Sequence, residues 1–397
     1  MPDVSIPHYQ YLIIGGGMTA DAAARGVRDL DPNGTIGIIG AESDPPYARP
    51  PLSKALWKGE PLESVWRNTS EVGVSFHSER RVISLDLTAS RVVDDRGTAY
   101  SFGKVLLATG GTPRRLPLGS DDVIYFRTLG DYRHLRALAD QQKTFAVIGG
   151  GFIGSEVAAA LAMQGCQVTM LFPEDGIGAR VFPSDLASNL VSYYREKGVD
   201  ARPGQRVTGL SEAGSQTVVE TASGFRVTVD AVVAGIGITP NVDLAQAAGL
   251  ALENGVVVDQ HLTTSHPSVF AAGDVASFTA PQLGKRIRVE HEDNALSMGR
   301  AAGRAMAGDR ADYAHLPFFY SDLFERGYEA VGEPDPRGET VADWKEEFLE
   351  GVVYYLSGGR VRGVLLWNVW GQVEAARALI AEPGPFTAQD LKGRLHA

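Results

Sequence analysis

Two glycine-rich turns, far apart in the chain, limit its fold more than any other feature. The first follows a short apolar run, Tyr11-Leu-Ile-Ile-Gly15, and reads Gly15-x-Gly17-x-x-Ala20, with an alanine-rich stretch of helical character over 18–30. The turn signal Asp31-Pro-Asn-Gly34 then leads into a second strand over 35–39, completing a βαβ unit of about 30 residues. The pattern returns where Phe145-Ala-Val-Ile148 runs into Gly149-x-Gly151-x-x-Gly154, followed by a helix over 155–164 and a strand over 167–172. In such a turn the first glycine permits the sharp bend and the second lets a pyrophosphate approach the backbone. The third position, Ala20 or Gly154 here, keeps helix and strand close. The helix then offers unpaired N–H groups and a partial positive charge to phosphates. An acid after the second strand should hold a ribose; Glu42 is the candidate in the first unit and Glu174, about 20 residues beyond Gly154, in the second. One such unit serves a nicotinamide dehydrogenase, whereas moving hydride between two dinucleotides needs two.

Composition narrows the classes. At 397 residues the chain exceeds what one core usually organises, so two or three domains are expected. A formal charge of -11 disfavours nucleic acid and anionic membranes as partners. No apolar run approaches the roughly 18 residues of a membrane helix, and the residues before Tyr9 lack a signal-peptide pattern. A cytoplasmic address is therefore expected. Cys166 is the single cysteine, so no internal disulfide, redox cysteine pair or cysteine-rich metal site can form, and redox chemistry must come from a bound cofactor. No metal site is expected.

Between and after the two units, alternating segments such as Arg91-Val-Val and Phe225-Arg-Val-Thr-Val read as antiparallel strands. Past about residue 314 the texture changes: strand-like runs over 352–356 and 361–367 are joined by Ser357-Gly-Gly359, and a helix over 372–381 follows. The stretch 333–340 reads as a polar loop. The fold class is thus α/β, with two Rossmann-like dinucleotide-binding domains and a small α+β C-terminal domain.

Three further segments point to flavin. Leu106-Leu-Ala-Thr109-Gly110-Gly and Ala234-Gly-Ile-Gly237-Ile-Thr-Pro-Asn241 are apolar strands entering glycine turns, and Val269-Phe-Ala-Ala-Gly-Asp274 is a buried strand ending on an acid. Together these resemble the two-dinucleotide flavoprotein reductases of the glutathione reductase type. The segment Pro46-Tyr-Ala-Arg49-Pro-Pro-Leu-Ser-Lys54 is similar to one shared by the ferredoxin reductases of oxygenase systems and by apoptosis-inducing factor. Leu171-Phe-Pro-Glu174, Val289-Glu-His-Glu-Asp293, Tyr320-Ser-Asp-Leu323, Gly327-Tyr-Glu-Ala-Val-Gly332 and Gly363-Val-Leu-Leu-Trp-Asn368 look closer to apoptosis-inducing factor, and the resemblance covers nearly the whole chain.

The resemblance implies an FAD domain over 1–120 and 240–314, an NAD(P)H domain over 121–239 and a C-terminal domain over 315–397. It implies that Asp274 bonds the FAD ribityl chain and that Thr109, Gly110 and Gly237 lie in cofactor-binding turns. Arg49 and Lys54 would contact FAD, with Lys54 near flavin N5 and paired to Glu156. Phe152, Glu156 and Glu174 would line the NAD site, and Glu290 and His291 would lie near nicotinamide and flavin. A positive group near N5 would stabilise the reduced ring, so Lys54 and Glu156 are the candidate catalytic residues. NADH is expected over NADPH, because a carboxylate at Glu174 binds ribose hydroxyls and repels a 2′-phosphate.

This chain also departs from its relatives. An acid usually occupies the position of Ala41, so either that position or Glu42 holds the FAD ribose in such proteins. Tyr320 stands where relatives commonly have Trp, and residues 333–350 form only a short loop where mitochondrial apoptosis-inducing factor carries a long insertion. Three functions follow from the resemblance: an NADH oxidoreductase with a small-molecule or protein acceptor, the reductase component feeding a ferredoxin or rubredoxin, and a redox-sensing interaction protein. A homodimer is compatible with each. The lone Cys166 excludes a disulfide reductase.

Overall fold

The computed structural model describes residues 6–118 and 122–395. Two compact units emerge, each assembled from separate stretches of chain. The first gathers residues up to Arg49 with Glu63–Thr112 and Thr239–Pro317; the second gathers Pro50–Leu62, Pro113–Ile238 and the chain from Phe318 onward.

The first unit is built on a seven-stranded sheet. Its order runs Val74–His77, Ile36–Ile39, His8–Ile14, Ala99–Leu107, Arg91–Asp94 and Val82–Asp86, with Val269–Ala271 also paired to Ala99–Leu107. The strands around His8–Ile14 are parallel, and their apolar runs are buried on both faces, Leu12 and Ile13 completely. Arg91–Asp94 and Val82–Asp86 extend the sheet antiparallel. Two helices, Met18–Arg28 and Glu292–Met306, lie closely against one another at glycines: a Cβ at Gly26 would sit 2.1 Å from Arg300 O and one at Gly303 2.0 Å from Ala23 O. The first helix stops at Arg28, short of the predicted residue 30, where the chain tightens and the Leu30 N–H bonds Val27 O three residues back.

The second unit contains a five-stranded parallel sheet in the order Val199–Arg202, Val168–Leu171, Phe145–Ile148, Ala231–Ala234, Val123–Ile124. Helix Phe152–Met163 begins three residues before the predicted start, directly after Gly151. The antiparallel ribbon Val207–Ala213, Gln216–Thr221, Arg226–Val229 packs Val219 and Val229 beneath the parallel sheet. The C-terminal part is a five-stranded antiparallel sheet in the order Phe318–Leu323, Arg326–Gly332, Arg360–Trp367, Glu350–Ser357, Glu339–Glu346, followed by helix Val373–Ala381. The stretch expected to be only a loop between 333 and 350 therefore contains a strand. Glu339–Glu346 is the sheet's edge and carries the polar residues that protect edges from further pairing, which weakens its strand signal. Among the described residues no helix is long and apolar enough to cross a membrane.

Candidate functional sites

In the first unit, the strand His8–Ile14 turns into helix Met18–Arg28 through Gly15, whose φ of +120 favours glycine. A Cβ at Gly15 would sit 2.1 Å from the carbonyl oxygen of Ala108, whereas one at Gly17 would meet nothing within 4 Å. The helix start carries no side-chain cap, so no side chain of this chain occupies the first turn's amide end. Such a cradle fits a pyrophosphate and not a side chain. Close by in sequence, Glu42 accepts hydrogen bonds from Tyr47 Oη and Arg49 Nη2, both at 2.5 Å. Both of its carboxylate oxygens are thereby engaged by this chain. Burial works against the Arg49 guanidinium, yet the neighbouring Tyr47, Glu42 and Asp274 hold its pKa above the ordinary value. Arg49 is thus a fixed cation.

The glycine turn after Ala99–Leu107 is tied to residue 241. Thr109 Oγ1 donates to the Asn241 carbonyl and Asn241 Nδ2 donates to the Thr109 carbonyl, each at 2.8 Å, while the Asn241 N–H reaches Gly110 O at 3.0 Å. Asp274 follows the buried strand Val269–Ala271 in a short turn, and its carbonyl accepts from Arg288, which also pairs with Glu290 at 2.8 Å. His291 opens helix Glu292–Met306. Burial lowers its pKa to about 4, against the opposing pull of Asp274 and Asp293, so it is neutral at pH 7. An unfolded chain protonates this imidazole near pH 6.5, so the folded state is favoured above that pH and loses the advantage as pH falls towards 4. Stability should drop by on the order of 2–3 kcal/mol across that window through this group. Urea unfolding of wild type and His291→Gln at pH 7, 5.5 and 4.5 checks this: the variant should show the shallower decline, and parallel declines would remove His291 as the cause.

The second unit repeats the glycine arrangement. Gly149 has φ +117, and a Cβ there would lie 2.4 Å from Gly235 O; Gly151 faces open space; a Cβ at Gly154 would lie 2.0 Å from Gly149 O. Helix Phe152–Met163 likewise starts without a side-chain cap, so this cradle also fits a pyrophosphate. Gly237, at φ +93, accepts the Arg114 N–H through its carbonyl at 2.9 Å. Phe152 is 38% exposed, its ring centroid 5.0 Å from that of Phe319. Glu174 stands past the strand Val168–Leu171 and pairs with Arg180 at 2.9 Å; that arginine is 81% exposed.

Glu156, on the first turn of helix Phe152–Met163, is a buried acid at 3% exposure. Lys54 Nζ lies 2.8 Å from its Oε1 and is itself 10% exposed. Ser53 Oγ donates to Oε2 and Ser321 Oγ to Oε1, each at 2.6 Å. The ammonium also lies 5.3 Å from the Tyr320 ring centroid. Burial and the Glu156 charge push the phenols of Tyr194 and Tyr328 well above their usual range, so neither competes for the charge. The sequence brought forward Lys54, Glu156 and Tyr320 but neither serine. Adjacency to Lys54 and Tyr320 was the only available signal for them. Tyr47 and Asn241 lay inside recognised motifs without being singled out.

Residues 9–299 match the family model described as pyridine nucleotide-disulphide oxidoreductase, and residues 339–382 match that of the C-terminal region of apoptosis-inducing factor, mitochondrion-associated. The chain is 32% identical over 440 residues to apoptosis-inducing factor 1, mitochondrial, of Dictyostelium discoideum, spanning 100% of this chain and 82% of that protein. It is 34% identical over 383 residues to the anthranilate 1,2-dioxygenase system ferredoxin–NAD(+) reductase component of Burkholderia cepacia, covering 94% of each. Among solved structures, a chain of the covalent putidaredoxin reductase–putidaredoxin complex superposes with a TM-score of 0.89 at 30% identity, covering 96% of this chain and 95% of that one. Two uncapped glycine cradles, the match across both, and relatives named as reductases lead to one conclusion: the chain belongs to the pyridine nucleotide-disulphide oxidoreductase family and is an FAD-dependent NAD(P)H oxidoreductase.

Proposed function

We propose that residues 1–120 and 240–314 hold FAD, that residues 121–239 hold NADH, and that Lys54, kept in place by Glu156, is the catalytic group. The observation that carries this reading is the Lys54–Glu156 pair itself. A buried ion pair is weak as a device for stability, since desolvation offsets much of its attraction. Its presence beside the start of a dinucleotide helix is better explained by chemistry. Once bound, the two cofactors supply that chemistry, hydride passing from nicotinamide to flavin. Lys54 offers a fixed positive charge where negative charge develops, and Glu156 fixes its position. The N–H groups after Gly17 and Gly151 bind pyrophosphates. Arg49 adds a cation, Asp274 accepts from ribityl hydroxyls, and the turns at Thr109, Gly110 and Gly237 approach cofactor with their backbone. In the first unit Glu290 and a neutral His291 would lie near the flavin; in the second, Tyr320 lies under Lys54 and Phe152 would border the nicotinamide. The residues from 315 on thus furnish Tyr320 and Ser321 to the site. Purified protein should be yellow and release FAD, not FMN, on denaturation; protein that stays colourless after reconstitution with FAD would end this assignment.

Glu174 is read as the ribose-binding acid. A carboxylate there accepts from both ribose hydroxyls and repels a 2′-phosphate. NADH should exceed NADPH in kcat/KM by about ten-fold or more, even though Arg180 partly screens the charge. Glu174→Ala should narrow the gap, and equal efficiencies in the wild type would show that the ribose site has been misplaced.

The onward acceptor is proposed to be a ferredoxin-type carrier protein. What favours this is the naming of the Burkholderia relative as a ferredoxin reductase component and the solved reductase–putidaredoxin complex. Reduction of cytochrome c by NADH should accelerate when ferredoxin is added, and an unchanged rate over a panel of ferredoxins would overturn it.

A further inference from the structure

We propose that Ser53 and Ser321 are positioning residues that set how much of the Lys54 charge reaches the flavin. The inference rests on the reading of Lys54 given above. Glu156 is a buried carboxylate with three donors around it: the Lys54 ammonium and Ser321 hydroxyl at Oε1, and the Ser53 hydroxyl at Oε2. The two serines reach it from different places. Ser53 precedes Lys54 in the short helical turn Pro50–Ser53, whereas Ser321 lies on the strand Phe318–Leu323, next to the Tyr320 ring over which the ammonium sits. Both serines are buried, at 5% and 1% exposure, so water does not replace a lost hydroxyl without rearrangement.

Their effect follows from charge sharing. Lys54 and Glu156 are in full contact at 2.8 Å, and hydroxyl dipoles pointed at the carboxylate share its negative charge, so less of the ammonium's charge is offset. If either serine is removed, a buried carboxylate oxygen loses a donor. More of the carboxylate's charge is then left to the ammonium already in contact with it, and the lysine's field on its other side weakens. Ser53 and Ser321 thus act through Glu156 and Lys54.

The test measures flavin midpoint potential and anaerobic reduction by NADH in the holoenzyme for wild type, Lys54→Ala, Ser53→Ala, Ser321→Ala, Ser53→Thr, Ser321→Thr and Lys54→Ala/Ser321→Ala. Each Ser→Ala change should lower the potential in the same direction as Lys54→Ala but by less. Each should also slow reduction about ten-fold, as expected for one buried charge-assisted hydrogen bond, with KM for NADH unchanged. The threonine variants keep the hydroxyl and should recover most of the rate. On the Lys54→Ala background, Ser321→Ala should add nothing. In the apoprotein, acetic anhydride followed by mass spectrometry should modify Lys54 at a different rate in each alanine variant than in wild type. Serine variants with unmoved potential and unmoved Lys54 reactivity would overturn the proposal, as would an additive loss in the double variant. An unmoved potential in Lys54→Ala would instead overturn the reading of the lysine, while the apoprotein labelling would still judge the serines.

Discussion

Lys54→Ala is expected to slow reduction of bound flavin by NADH about a hundred-fold, the effect of removing one preorganised charge from a site where charge develops. FAD should remain bound. The same change strands a carboxylate at 3% exposure without its countercharge, which typically costs about 3–5 kcal/mol of stability. These two losses can be separated. Lys54→Met combined with Glu156→Gln removes both charges and leaves Ser53 and Ser321 with an amide to bond. It should recover much of the stability, measured by urea unfolding, while staying as slow as Lys54→Ala. Glu156→Ala alone should be the milder kinetic change, and losses in activation free energy for the alanine pair should sum to less than their separate values, as for groups acting as a unit. Strictly additive losses would mean that the two residues do not work together.

The second large effect is expected at the glycine turns. Gly15→Ala places a methyl 2.1 Å from the Ala108 carbonyl oxygen at a φ of +120, so strand and turn must shift and the backbone is strained whatever space is made. The variant should lose roughly 3 kcal/mol or more of stability and be purified without FAD, detected as loss of the visible absorption bands. Gly149→Ala meets Gly235 O at 2.4 Å with φ +117. It should keep its flavin, which dithionite still reduces, but lose reduction by NADH. Retention of flavin in Gly15→Ala, or undiminished NADH reduction in Gly149→Ala, would reverse the assignment of the two cradles.

The glycine turns were legible because their chemistry is local: a residue that must take positive φ against a carbonyl, followed by an alanine-rich helix, leaves a pattern within a few positions. The parallel strands were legible for a related reason, being apolar on both faces. Glu339–Glu346 was not, because an edge strand is kept polar and its partner Glu350–Ser357 supplies the apolar signal. Glu42 reads as a ribose acid from its position after a strand. Nothing local announced that Tyr47 and Arg49 engage both of its oxygens. The Lys54–Glu156 pair came from family resemblance, since no spacing rule joins a lysine in one loop to a helix about a hundred residues later. Ser53 and Ser321 stayed hidden for the same reason: a serine acquires meaning only from the carboxylate that the fold brings to it.

Anaerobic titration of the purified holoenzyme with NADH decides whether this one chain passes hydride from nicotinamide to its own flavin. One equivalent should bleach the oxidised flavin band of the wild type completely, rapidly and without any added protein. Flavin that dithionite reduces but neither NADH nor NADPH touches would mean that no such hydride transfer occurs.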